Sequence, residues 1–218
     1  MDVLIAMAAF VLSHVVIART RLKPALIARF GEPAYLAAYS ALSLALLAWV
    51  IWAVLTADRL PLWTTPAWSY GFAAIVSLVA FVLIGIGMVV PNPLSVSFRK
   101  AGFDPDRSGV IGWVRHPLLW GLTLWAVSHI PANGDWPSLV LFAGAATFGL
   151  VGIFAVERRV KRQLGLEEWT RLTAGRGNVD RRAIAGAAVG VFLWLVFLVI
   201  HPTLFGADPL AVLRAQFG

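Results

Sequence analysis

The sequence predicts an all-α, polytopic membrane helix bundle of about six transmembrane helices, and three observations predict it. Hydrophobic residues make up 60% of the 218-residue chain and charged residues 13%, so the apolar surface far exceeds what one soluble core can bury. The apolar residues gather into six stretches close to the ~20 residues that cross a bilayer. Every Lys and Arg except Arg59 and Arg214 falls in alternate connections between those stretches, as expected when positive loops stay on one side of a membrane.

The first stretch, about Val3 to Ala18, is somewhat short. It has no basic start and no clear small-residue cleavage site, so it is expected to remain as a helix. The second and third, Ala34 to Thr56 and Trp68 to Val90, are long enough to span. Pro91, Pro93, Gly102, Pro105 and Gly109 then break the connection up to His116 into turns. The fourth stretch, Pro117 to Ile130, is the shortest and is expected to extend through His116 or Asn133 or to be shielded by its neighbours. The fifth, Ser138 to Val156, continues as a charged amphipathic segment from Glu157 to Thr173, and the sixth runs from Ile184 to Ile200. Residues 1–218 read as a single domain with a cytoplasmic cap. Both termini face outward in a bacterial inner membrane. The net charge of +7 then faces lipid headgroups, and no nucleic-acid partner is expected.

The chain has no cysteine, which excludes disulfides, thiolate haem ligation, iron–sulfur clusters and Cys-based zinc sites. No Asp or Glu lies inside the six stretches away from an end, so histidines are the ionisable groups at membrane depth, where such a group usually faces a cavity, partner or ligand. At ~1.5 Å per residue, His14 lies about 16 Å into the first helix, near mid-membrane. His129 lies about 20 Å along the fourth helix from His116, in the outer half. His116 and His201 sit at interfaces. Within RHPLLWGLTLWAVSHIPANGDW (Arg115 to Trp136), His116 and His129 point in different directions at different depths and cannot share one metal ion. His14 and His129, on separate helices at similar depth, can meet across a bundle.

Two readings of that pair stay open. Two neutral imidazoles can grip a b-type haem without covalent attachment, or each can hydrogen-bond a neighbour such as the adjacent Ser13 and Ser128. Zinc is disfavoured, because two histidines without a carboxylate do not complete its ligand set. In the haem reading, Ala126 leaves room for a macrocycle beside Trp125, and Gly121 lies at the flank of the same face. Arg19, Arg21 or Arg115 would meet the propionates by charge. Gly85, Gly87, Gly144, Gly149 and Gly152 read as helix-packing contacts.

The segments SHVVIARTRLKPALIARFGEPAYLAAYSALSL (Ser13 to Leu44), RHPLLWGLTLWAVSHIPANGD (Arg115 to Asp135) and ERRVKRQLGLEEW (Glu157 to Trp169) together resemble the NnrU family of bacterial membrane proteins over nearly the whole chain. That family is linked to nitrogen-oxide metabolism in denitrifying bacteria, so the resemblance implies a role near nitrite or nitric oxide reduction. It is also related to the plant 15-cis-zeta-carotene isomerase, which uses non-covalently bound haem b. The isomerase pattern places its haem ligands at the positions of His14 and His129. Its cysteine three residues before the second ligand is Ala126 here, so a thiolate switch is absent. The alternative that this likeness implies is haem-dependent cis–trans isomerisation of an apolar polyene. A third likeness, to membrane methyltransferases using S-adenosylmethionine, is carried by Arg115, His116, Pro117, Glu157, Leu164, Gly165 and Trp169. The chain departs from that pattern at Val156, Leu172 and Thr173. Pro117 is equally suited to the first turn of a helix, where its missing N–H removes no bond.

Overall fold

A computed structural model describes residues 2–20 and 22–217. It is all-helical, with nine α-helices and two short 3₁₀ turns among the described residues: α1 Asp2–Arg19, α2 Leu22–Phe30, α3 Glu32–Thr56, α4 Trp68–Val89, α5 Pro117–His129, α6 Trp136–Leu164, α7 Leu166–Thr173, α8 Arg181–Phe205 and α9 Pro209–Phe217, with the 3₁₀ turns at Pro105–Arg107 and Gly109–Gly112. The six apolar stretches correspond to α1, α3, α4, α5, α6 and α8.

The chain is a membrane protein, but six spans are not confirmed. Four helices, α3, α4, α6 and α8, are long and apolar enough to cross a bilayer, and α1 with α2 makes a fifth if that pair, bent by 74°, is one span. The shortfall lies in α5. Its 13 residues reach only about 20 Å, against a hydrocarbon core of about 30 Å. Neither expected extension forms, since Pro117 starts the helix and the chain turns after His129. The amphipathic continuation of the fifth stretch extends to Leu164. Gly165, at φ +79°, then breaks it in a backbone conformation that side chains disfavour, and α7 follows as a separate helix. The basic connection after α1, read from sequence as a loop, contains α2, which ends where the Gly31 N–H donates to the Ile27 carbonyl at 2.8 Å.

The chain divides into two compact units. The first comprises Met1–Thr64 with Gly134–Gly144. Its core joins Val3 and Ala6 of α1 to Val50, Ala53 and Val54 of α3, with Val140 and Leu141 of α6 against them. Arg59, Asp135 and Ser138 tie the connection after α3 to the start of α6. Asp135 accepts from Arg59 Nη1 at 2.9 Å and from the Ser138 N–H at 2.9 Å. Burial pushes the Asp135 carboxyl up, but the bonds from Ser138 and Arg59 outweigh it and hold the group below its usual value.

The second unit comprises Thr65–Asn133 with Ala145–Gly218. In it α4 packs against both α8 and α5, and glycines set both contacts. A Cβ at Gly85 would fall on the backbone of Gly186 and Gly190 in α8, and one at Gly87 would lie 2.8 Å from the Leu118 Cβ in α5. Residues two apart on a helix point about 200° apart, so this pair serves opposite neighbours, as small residues do where membrane helices approach closely. Gly149 meets Thr123, in agreement with the packing role read from sequence. Large apolar side chains such as Ile75 and Val199, about two-thirds exposed, suit a lipid surround. The apolar core of this unit lies at the base of its helices. Ile86, Val90, Leu94, Val110, Ile111, Val160, Trp169, Leu172 and Ala183 close there beneath the loops.

Candidate functional site

In the first unit, His14 projects from α1. Its Nδ1–H donates to the Phe10 carbonyl, one turn earlier, at 2.7 Å. The Ser13 hydroxyl donates to the same carbonyl at 2.8 Å and lies 3.3 Å from Nδ1. The Phe10 ring lies 4.6 Å from the imidazole, and Tyr39 of α3 meets it edge-on at 5.5 Å. Tyr39 in turn stacks on Tyr35 at 5.9 Å. The Ser43 hydroxyl reaches Nε2 at 3.5 Å, the outer limit for a hydrogen bond.

In the second unit, His129 ends α5 with the same local construction. Its Nδ1–H donates to the Trp125 carbonyl at 2.7 Å, and the Ser128 hydroxyl donates to that carbonyl at 2.8 Å and lies 3.3 Å from Nδ1. The Trp125 ring lies 5.2 Å away, tilted by 47° where Phe10 is tilted by 45°. Asn133 Nδ2 caps the helix by donating to the His129 carbonyl at 2.8 Å.

A carbonyl can only accept, so the proton of each imidazole sits on Nδ1 and Nε2 is the acceptor nitrogen. Metal-ligating histidines commonly hold this form, with the second nitrogen bonded to a carbonyl that fixes tautomer and ring orientation. Both candidate histidines therefore keep Nε2 as the nitrogen through which an imidazole can ligate a metal, each within its own unit. Among the described residues no three His, Asp or Glu side chains come together to hold a metal ion.

The remaining sequence candidates divide. Ala126 is fully buried one turn before His129. Gly121 packs on α4, where a Cβ would lie 2.6 Å from the Ala80 carbonyl oxygen and 2.7 Å from Ile84 Cγ1. That close approach accounts for the glycine without a cofactor. Arg115 lies at the other end of α5 from His129. Its Nε is 3.9 Å from Glu157 Oε2, and its guanidinium lies 5.6 Å over the Trp169 ring. Thirteen helical residues, about 20 Å, separate that end from His129, so the structure does not bring Arg115 to His129. Arg21 and the Arg19 side chain lie outside the described residues. His201 Nδ1–H donates to the Ala207 carbonyl at 2.9 Å at the end of α8.

The Arg-His-Pro motif forms a buried clasp. His116 bonds Ser95 Oγ through Nδ1 at 2.8 Å and Glu157 Oε2 through Nε2 at 3.2 Å, and it is only 2% exposed. Beside it, Asn92 Nδ2 donates to the Arg115 carbonyl at 2.8 Å and Asn92 Oδ1 accepts from the Leu94 N–H at 3.0 Å. Pro117 takes the first helical turn as read from sequence. With both ring nitrogens bonded and the ring enclosed, His116 joins α5, α6 and the Pro91–Val114 connection, and a substrate has no approach to it.

FVLSH (Phe10 to His14) and WAVSH (Trp125 to His129) share an aromatic-x-x-Ser-His pattern, a signal in the sequence that the spacing of single histidines does not show, and that pattern builds both histidine sites. Ser95 and Asn92 were missed because their partners lie more than twenty residues away in the chain.

A comparison with protein families matches residues 3–209 to the model described as NnrU protein. Comparison with curated proteins returns no match, and neither does comparison with solved structures. The match spans nearly the whole chain, histidine pentapeptides and clasp included, and so this chain belongs to the NnrU family.

Proposed function

We propose that this NnrU-type membrane protein binds one haem b with His14 and His129 as axial ligands, and that it acts in nitrogen-oxide metabolism at the bacterial inner membrane with both termini outward. One observation carries the haem reading: two histidines far apart in sequence share one local construction, each with Nδ1–H on the carbonyl one turn earlier at 2.7 Å and Nε2 as the acceptor nitrogen. Aromatic rings beside both imidazoles provide the apolar walls that a flat macrocycle needs. When bound between these histidines, haem would supply redox-active iron chemistry toward diatomic ligands such as nitric oxide. The residues of the chain hold the proton on each Nδ1 and orient each ring against its own aromatic neighbours, Phe10 and Tyr39 for His14 and Trp125 for His129. The nitrogen-oxide role follows from the family likeness. Ala126, in place of a cysteine, gives no support to the isomerase alternative. The enclosed His116 gives none to a methyltransferase.

The test is the absorption spectrum of the full chain purified from a haem-replete host. A Soret band is expected in the wild type and in His116→Gln, with loss or a shift to a high-spin form in His14→Ala and in His129→Ala. Nitric oxide added to the reduced protein is expected to shift the band. Colourless wild-type protein, or an unchanged band in both histidine variants, overturns the assignment.

A further inference from the structure

In the second unit, the connection from Pro91 to Val114 and the start of α8 enclose a cavity of about 400 Å³, and backbone contacts fix its walls. Gly109 and Asn178 exchange two hydrogen bonds at 3.1 Å, the Gly109 N–H donating to Asn178 Oδ1 and the Asn178 N–H to the Gly109 carbonyl. The Ser108 hydroxyl donates to the Arg176 carbonyl at 3.1 Å, and a Cβ at Gly175 would fall on the Pro105 carbonyl oxygen. Arg182 reaches over from the first turn of α8, where its Nη1–H donates to the Gly102 carbonyl at 2.9 Å. Four charged side chains line the cavity: Asp104, Arg107, Asp180 and Arg182. Among the described residues no salt bridge joins either arginine to either aspartate. Each carboxylate has one oxygen held by backbone, Asp104 Oδ1 by the Asp106 N–H at 3.0 Å and Asp180 Oδ1 by the Ala183 N–H at 2.7 Å. The second oxygen of each still accepts, and a guanidinium has five donors, of which Arg182 commits one to Gly102.

We infer that this cavity binds a zwitterionic phosphate ester of the phosphoethanolamine type, with its phosphate on Arg107 and Arg182 and its ammonium on Asp104 and Asp180. The four charges cancel, so the cavity is not a basic patch that takes any anion. A ligand that satisfies all four side chains carries anionic oxygens and a cation on one small frame. Guanidinium forks match the oxygens of a phosphate, and an ammonium brings three donors to carboxylate oxygens. The position suits such a group. Helix α4 ends at Val89 and α8 begins at Arg181, and both are long and apolar enough to cross a bilayer, which puts the cavity at the level of lipid headgroups. Val90 and Pro91 give it an apolar side. The same chemistry is offered by a membrane phospholipid and by a soluble ester. The site uses neither histidine pentapeptide and is independent of the haem reading.

The experiment is a calorimetric titration of the full-length protein in uncharged detergent micelles with O-phosphoethanolamine, and with inorganic phosphate for comparison. The wild type is expected to bind the ester about tenfold more tightly than phosphate, the worth of a charge-assisted bond to the ammonium. Arg107→Gln and Arg182→Gln are each expected to weaken both ligands about tenfold. Asp104→Asn and Asp180→Asn remove charge while keeping a side-chain oxygen for the backbone N–H. The double asparagine variant should lose the preference for the ester and hold phosphate at least as tightly as the wild type, a reversal that damage to the fold does not produce. If Arg182→Gln, which gives up the Gly102 bond, fails to fold in thermal melts, the exposed Arg107 carries the arginine arm. Dihexanoylphosphatidylethanolamine distinguishes the sources: tighter binding than the soluble ester assigns a membrane lipid, weaker binding a soluble ligand, and both support the site. No binding of the ester by the wild type, phosphate bound as tightly as the ester, or an ester preference that survives in the double asparagine variant overturns the inference.

Discussion

Alanine at Gly85 tests how tightly α4 and α8 approach each other. A Cβ there would fall on the Gly186 carbonyl oxygen and lie 2.5 Å from Gly190 N and 2.8 Å from Gly190 Cα, whereas ordinary contact begins at 3.4 Å. Every obstructing atom is backbone, so no side chain can swing aside and α8 must withdraw by roughly 1 Å, a gap that forfeits a quarter to a half of each dispersion contact along the seam. That seam includes Phe81 against Phe197, with ring centroids 5.3 Å apart, and the Trp194 Nε1–H to Ser77 Oγ bond at 3.4 Å. Overpacking of this kind costs about 1–3 kcal/mol, or roughly 5- to 150-fold in the folding equilibrium. Gly152→Ala is the matched control, since its Cβ would meet nothing nearer than Leu119 Cδ2 at 4.0 Å. It is expected to be neutral, or stabilising by up to about 1 kcal/mol through helix propensity. Reversible unfolding in mixed detergent micelles, followed by tryptophan fluorescence, measures both. Gly85→Ala as stable as Gly152→Ala would refute the close-approach argument.

Three further outcomes are expected. Asn92→Ala leaves the Leu94 N–H, which is buried, and the Arg115 carbonyl, which is part-buried, without the partners they have at 3.0 and 2.8 Å, costing at least about 1–3 kcal/mol from the buried group alone in the same unfolding assay. His116 gives a pH dependence. Burial lowers its pKa from 6.5, against the raising pull of Glu157, so below pH 6.5 the unfolded chain binds a proton that the folded chain resists. The stability contribution of His116 is therefore full above that pH and is lost as pH falls through 6.5 toward the lowered folded value. His116→Gln should flatten the slope of stability between pH 7 and the lowered value, and an unchanged slope would assign the acid sensitivity elsewhere. Asp135→Ala removes the acceptor of the Ser138 N–H in the first turn of α6, which predicts a loss of about 1 kcal/mol. Arg59→Ala, on a half-exposed ion pair, predicts less than about 1 kcal/mol, and thermal melts of the two variants separate capping from charge.

The sequence by itself determined the membrane class, the positions of the principal helices and the two histidines worth weighing. Apolar run length is a local property, and an ionisable residue inside such a run is conspicuous wherever the helix packs. Residue type also marked Gly85, Gly87 and Gly149 as contacts, because membrane helices approach closely where side chains are absent. Span number was beyond this reading. Apolar length could not show that α5 would stop after 13 residues, since only folding decides whether Ile130 to Asn133 continues a helix or turns. The tertiary structure decided what the polar residues do. Arg115 reads as a loose cation until α6 brings Glu157 and Trp169 to it. Gly121 reads as the flank of a cofactor face until α4 is seen to pack on it, and His116 reads as an interface residue until Ser95 and Glu157 enclose it. A side chain's partners across the fold depend on helix rotation and loop path, which residue spacing within one segment does not specify. The Nδ1–H bonds of His14 and His129 are the exception, because their carbonyl lies one turn back on the same helix, and aromatic-x-x-Ser-His already encodes the geometry.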